Sequence, residues 1–139
     1  MTVTDSTYFL IKSVEGEKLE AYQCPAKKWT ISLGVTYYPD GSKVKQGDKI
    51  SAAKSMQLFK ECSGQRVDPL NNLITSKLTQ HQWDVAFSIN WQYGGAWMKK
   101  SLILKQINKN PNDFAAIRKI FDLMEYGNRR NIEFKHYCE

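Results

Sequence analysis

The sequence predicts an α+β fold: one helix, a small antiparallel sheet, then helices to the end of the chain. Three observations carry that prediction. Tyr8, Ile11 and Val14 fall at helical spacing. Short β-type runs alternate with turn residues between about 18 and 46. From Ser51 onward, capping residues and apolar spacing are helical. A chain of 139 residues suits one domain with its own core. It is assigned here as a single domain over 1–139, with a β-meander at about 18–46 and a helical lobe at about 51–138.

Taken in order, Asp5 or Ser6 is placed to cap the first helix, and Gly16 to stop it. Glu15 then lies at the C-terminal end, where the helix dipole opposes a carboxylate, a poor place for a merely structural acid. Leu19–Tyr22 and Trp29–Leu33 read as strands joined by a turn at Cys24-Pro25-Ala26-Lys27, and Pro39-Asp40-Gly41-Ser42 reads as a second turn. Ser51 caps a helix running to about Cys62, and Asp68-Pro69 opens another. Thr79-Gln80-His81-Gln82 is a capping box heading the run Trp83–Tyr93, which Gly94-Gly95 ends. Ser101–Asn108, Pro111–Leu123 and Asn128–Tyr137 complete the set.

Composition narrows the function. Lys plus Arg is 20 and Asp plus Glu is 14, a net charge of +6 that suits an anionic partner or a solvated basic face. Residues 1–95 carry 11 basic and 9 acidic side chains, against 9 and 5 in residues 96–139. No apolar run approaches the ~18–20 residues of a membrane span, and the N-terminal stretch lacks the pattern of a secretory signal. Cys24, Cys62 and Cys138 are too few and too scattered for a disulfide framework, which points to synthesis in a reducing cytosol. Ser51-Ala52-Ala53-Lys54 matches an acyl-enzyme motif by chance and is read as a helix cap. His81 and His136 are read as structural, with no metal or cofactor expected. Trp83, Phe87, Trp91 and Tyr93 fall at helical spacing; most are read as core, with the last two placed to border a groove.

One constellation stands out. Glu15 ends the first helix, Cys24 sits in the hairpin turn, and Thr30 opens the next strand. A carboxyl facing polar side chains across a small cleft suits glycoside hydrolysis, which needs a proton for the leaving oxygen and a positioned water. These residues, with Glu15-Gly16, Leu19-Glu20-Ala21-Tyr22 and Trp29–Gly34, resemble the phage-type, T4-like lysozymes. That family carries Glu, eight residues, Asp or Cys, five residues, Thr, and Glu15, Cys24 and Thr30 fit. The segments Ala86–Ser88 through Trp91–Gly94, Ser101-Leu102, and Arg129-Arg130 with Glu133 and Tyr137 continue the likeness.

The resemblance implies a lysozyme-like fold and cleavage of peptidoglycan between N-acetylmuramic acid and N-acetylglucosamine. It implies Glu15 as the general acid, Thr30 holding the water, and Cys24 as a second polar group and weak base. Arg129 or Arg130 becomes the partner of the acid, while Ser32, Gly34, Trp91, Gln92 and Tyr93 join the arginines as substrate-binding candidates. It also implies a monomer made in the host bacterial cytoplasm that reaches the wall once a pore-forming lysis partner opens the membrane. The chain departs from the family pattern at Cys24, Ser32, Leu33 and Val35. A side chain at Ser32 is expected to push the strand from a conformation that Gly permits, and Lys27 and Lys28 to favour the Cys24 thiolate. A catalytically weak or inactive wall-binding or structural module on the same scaffold is the alternative; a nucleic-acid binder is disfavoured because no recognition signature is present.

Overall fold

Helix α1 (Asp5–Glu15) opens the chain in the computed structural model, which describes residues 1–139. Its cap is Thr4, ahead of the expected Asp5 or Ser6: the Thr4 amide donates to the Thr7 hydroxyl at 3.0 Å, half of a capping box. Asp5 lies instead in the first turn, where the dipole favours an acid. Tyr8, Leu10 and Ile11 bury the inner face. Gly16 closes the helix at φ 77°, so Glu15 is its last residue. The Tyr8 hydroxyl donates to Glu17, tying the helix to the chain that follows; burial, then Glu17, pushes Tyr8 up to about 12.

Strands β1 (Lys18–Gln23) and β2 (Trp29–Ser32) pair antiparallel, with Tyr22 opposite Thr30 and Gln23 opposite Trp29. In the turn between them Lys27 takes φ 61°, and its amide donates to the Cys24 carbonyl at 2.7 Å. The expected meander thins beyond β2 to single bridges, Ile31 with Val35, Tyr37 with Lys43 and Glu20 with Lys49. Ser32, Gly34, Gly41 and Gly47 all have positive φ. The chain therefore turns too often for a third ladder to extend. Ile31, Val35 and Val44 pack on Leu58 in a small core of their own.

Leu58 belongs to α2 (Ala52–Ser63), where the Ser51 hydroxyl accepts from the Lys54 amide at 3.1 Å. The chain does not break before Asp68-Pro69. A 3-10 turn (Gly64–Arg66) runs directly into α3 (Val67–Leu73). Pro69 sits in the first turn of α3, where its missing N–H forfeits no helical bond.

Helix α4 (Gln80–Tyr93) carries the expected Thr79–Gln82 capping box and buries every residue from Gln82 to Asn90. A helix covered on all sides sits at the centre, and α1 and α8 (Gly127–Cys138) pack against it. Gly94 ends α4, but Gly95 starts another helix, α5 (Gly95–Lys100). Six residues are too few to display a period, and paired glycines read as a breaker. Ser101 caps α6 (Leu102–Lys109), and Asp113 caps α7 (Phe114–Leu123), three residues past the expected start at Pro111. No helix is long and apolar enough to cross a membrane.

The expected displacement at Ser32 does not occur. Ser32 keeps φ 59°, and its buried hydroxyl lies 2.7 Å from Ser55 Oγ and 3.1 Å from the Ser55 carbonyl. Left-handed backbone costs a side-chain-bearing residue about 1–2 kcal/mol, and the two bonds to α2 offset it. Ser32→Ala keeps the strain and loses the bonds, so urea unfolding should show a loss of about 1–3 kcal/mol. Ser32→Gly loses the bonds but relieves the strain and should unfold later than the alanine variant. The reverse order would show that the Ser55 contact does not hold this turn.

Candidate active site

Glu15 is fixed from the side of α8. Arg129 Nη1 donates to Glu15 Oε1 at 2.6 Å, while Nη2 donates to the Ser88 carbonyl at 3.0 Å and approaches Ser88 Oγ at 3.2 Å. The Arg129 side chain is 9% exposed and that of Glu15 29%, so the carboxyl is partly open and its partner is not. A guanidinium offers its donors in a rigid plane. One side chain therefore references the end of α1 to the middle of α4.

Behind Arg129 lies a buried charge cluster. Glu133 Oε2 accepts from Ser88 Oγ at 2.7 Å and lies 3.5 Å from Arg129 Nε, while Glu133 Oε1 lies 2.6 Å from Arg130 Nε. Burial pushes Glu133 above the ordinary carboxylate range, against the pull of Arg130, Ser88 and Arg129. Arg130 is fully buried and cannot touch a saccharide. Its Nη2 braces Gln92 Oε1 instead, and its guanidinium lies 5.7 Å from the Tyr93 ring. Of the two arginines offered as substrate-binding candidates, only Arg129 reaches the cleft.

A cavity of about 530 Å³ brings together Glu15, Gly34, Trp91, Gln92 and Arg129, and adds Arg66 and Tyr126. A second, of about 400 Å³, shares Gly34, Arg66 and Trp91 with it and continues along Tyr37, Tyr38 and Pro39. The two form one groove running from Glu15 onto the sheet side. Trp91 Nε1 donates to the Leu33 carbonyl at 3.2 Å, and the Arg66 guanidinium lies 4.6 Å from the Trp91 ring centre. Gly34 has φ 101°, and a Cβ there would meet Trp91 Nε1 at 3.7 Å.

Two further substrate-binding candidates lie elsewhere. Ser32 is 1% exposed and committed to Ser55. Tyr93 stacks on Trp97 at 4.2 Å and does not line the groove.

Cys24 and Thr30 form a separate pair across the hairpin. Thr30 is buried, and its hydroxyl donates to the Lys28 carbonyl at 3.0 Å. The Cys24 thiol is held below its ordinary value chiefly by the Lys28 amide, with the Ala26 amide and Thr30 hydroxyl adding and burial opposing. Backbone dipoles of the turn do what the Lys27 and Lys28 charges were expected to do. Neither Cys24 nor Thr30 lines the two cavities above. Burial, then the charges of Cys24 and Glu15, pushes the hydroxyl of Tyr22 on β1 upward.

Arg66, Tyr126 and Tyr22 were not singled out from the sequence. Tyr22 lies in a strand already recognised, but nothing local marks Arg66 or Tyr126 as facing a cleft. The groove's acids are poorly suited to a metal, since Arg129 meets Glu15 and both arginines meet Glu133.

The family model described as phage lysozyme matches residues 12–133. The chain belongs to the phage lysozyme family. It is a glycoside hydrolase, a lysozyme acting on peptidoglycan. Among its lysozyme relatives, the endolysin of Salmonella phage P22 is 32% identical over 116 residues, covering 84% of this chain and 80% of that one. The endolysin of Acyrthosiphon pisum secondary endosymbiont phage 1 is 32% identical over 108 residues, 78% of this chain and 70% of that one. A crystal structure of a P22 lysozyme mutant superposes with a TM-score of 0.88 at 29% identity, covering 100% of this chain and 99% of that one.

The cluster behind this lysozyme's acid predicts a stability effect remote from the groove surface. Glu133→Gln leaves Arg129 and Arg130 buried without their shared carboxylate and should cost about 3–5 kcal/mol. Denaturant unfolding reads this directly, and a loss below 1 kcal/mol would mean that the arginines are paired adequately without Glu133.

Proposed function

We propose that this lysozyme hydrolyses the β-1,4 bond between N-acetylmuramic acid and N-acetylglucosamine, with Glu15 as general acid. The observation that carries the reading is the Arg129 contact at 2.6 Å, which holds Glu15 at the edge of the groove. Arg129 occupies Oε1, leaving Oε2 to carry the proton to the leaving oxygen as the glycosidic bond breaks. Water adds to the sugar's anomeric carbon and gives up its proton to the Cys24 thiolate, the half-buried member of the hairpin pair, with the buried Thr30 backing that position. Trp91 offers the sugars an apolar face, and Gln92, fixed by Arg130, offers an amide to their hydroxyl and acetamido groups. Gly34 lets the strand backbone come close to the glycan.

The 139 residues act as one monomeric domain in this reading. The protein accumulates in the host cytoplasm and meets the wall through openings made by a pore-forming partner. Both curated relatives named above are endolysins, which favours turnover over an inactive wall-binding module.

Glu15→Gln should keep the fold by circular dichroism and lower peptidoglycan hydrolysis by at least about 10²-fold. Mass spectrometry of the digest should find N-acetylmuramic acid at the new reducing end. Near-native activity in this variant would remove Glu15 from the mechanism, and N-acetylglucosamine at the reducing end would assign a different bond.

Cys24→Asp should keep or raise activity, since a carboxylate is ionised at neutral pH, whereas the thiol serves as a base only through its thiolate fraction. Cys24→Ser should only lower it, because a hydroxyl still holds a water. A folded but inactive Cys24→Asp enzyme would show that the position does not do the work of the acid common in this family.

A further inference from the structure

Between the start of α4 and the end of α8 lies a histidine pair unused by the chemistry above. His81, in the first turn of α4, stacks on His136, near the end of α8, with ring centres 4.2 Å apart and planes inclined by 10°. Glu139 lies three residues beyond His136, just past the end of α8, and its Oε2 lies 3.8 Å from His81 Nδ1. That separation is too long for a hydrogen bond. His81 Nδ1 is buried from solvent and has no hydrogen-bond partner at all. We propose that His81, His136 and Glu139 bind a borderline divalent transition metal of the zinc class.

The donor set fits that chemistry. Two imidazoles and one carboxylate suit zinc, with water completing a tetrahedron. Metal bonds of about 2.0–2.2 Å place neighbouring ligand atoms roughly 3.3 Å apart. One donor atom from each of the three residues already lies within 4.8 Å of the others. Closing the remaining gap requires the side chains to adjust.

The support behind the ligands has the arrangement a metal-bound histidine requires. His136 Nε2 lies 2.9 Å from Asp84 Oδ2. Asp84 is fully buried and also accepts from Ser6, Thr7 and Gln80, so it acts as an acceptor only. With Nε2 directed at Asp84, Nδ1 is the His136 nitrogen left to face a ligand. A carboxylate holding the far nitrogen in this way orients the ring and raises its basicity. Lys135 lines the same cavity and opposes a cation, but Asp84 and Glu139 outnumber it.

An ion must lie near the plane of each ring that binds it, so the two rings cannot remain parallel. His81, with its side chain 36% exposed, is the ring able to turn out of the stack; His136 is held by Asp84. Binding would pin the start of α4 to the end of α8, the helix that carries Arg129 and Glu133.

The test is isothermal titration of the full chain with zinc chloride in a non-chelating buffer near pH 7.5. Wild type should bind one equivalent saturably, and His81→Ala should lose at least tenfold in affinity. Cys138→Ser should bind like wild type, which separates this site from the neighbouring thiol. His81→Ala leaves the Asp84–His136 contact in place, so its folding is not at issue, and circular dichroism confirms that. Absence of saturable binding to wild type, or equal binding by His81→Ala, overturns the site. Loss of binding in Cys138→Ser assigns it to the thiol and overturns it as well. Neither result touches the assignment of Glu15.

Discussion

The arrangement of the groove around Glu15 depends on one guanidinium. Arg129 meets Glu15 at the end of α1, Ser88 in the middle of α4 and Glu133 on its own helix. A carboxylate at a helix C-terminus faces the negative end of the dipole, so something outside α1 must hold it. Arg129 supplies that force with a planar donor set that leaves little freedom of approach. Burying two arginines and a glutamate is a poor route to stability, because desolvation consumes much of the Coulombic gain. What the cluster secures is placement of the acid relative to the groove wall. Arg130 extends the effect to Gln92, although two of its own nitrogens, Nε and Nη1, have no hydrogen-bond partner and its charge rests partly against Tyr93.

Helix α4 is the body through which these contacts communicate. It is buried along most of its length, so any residue on it is fixed by neighbours on every side. Ser88 receives Arg129 on one face, and Asp84, one turn earlier, gathers Ser6, Thr7, Gln80 and His136. Burial opposes ionisation of Asp84, but these four donors together hold its carboxyl below the ordinary range. The same helix that buries the core thus carries two polar junctions one turn apart, one at Ser88 behind Glu15 and Arg129 and one at Asp84 beneath His136. Trp91, near its C-terminus, gives the groove its floor and reaches across to the Leu33 carbonyl.

Strain is concentrated where the groove is shaped. Ser32 and Tyr126 have left-handed backbone without being glycine, and Gly34 lies between the sheet and Trp91. Such conformations persist only where surrounding contacts over-determine them. Ser55 does so for Ser32. Tyr126, 60% exposed, directly precedes α8 and lines the cavity beside Glu15 and Arg129. The turn geometry there sets where α8 begins, and with it where Arg129 projects.

Much of this was legible in the residues alone. Caps and apolar runs gave α1, α2, α4 and α6 to within a few positions, because each is written locally; α8 was placed as closely, although its cap position, Tyr126, makes no side-chain cap bond. Glu15, Arg129, Gly34, Trp91 and Gln92 were named from spacing and resemblance, and the fold brings them to one cavity. Other features depend on contacts between residues far apart in the chain. Burial excludes Arg130 and Ser32 from the groove, and no local pattern reports burial of a charge or a hydroxyl. Arg66 and Tyr126 enter the groove from the 3-10 turn and from the start of α8. His81 and His136, 55 positions apart, meet only because α4 packs on α8. The sequence by itself determined which segments become helix or strand and which residue types are available for chemistry, since those follow from neighbours in the chain. Tertiary structure alone decided which of those side chains face one another, because that depends on packing between helices whose separation in sequence carries no trace of their separation in space.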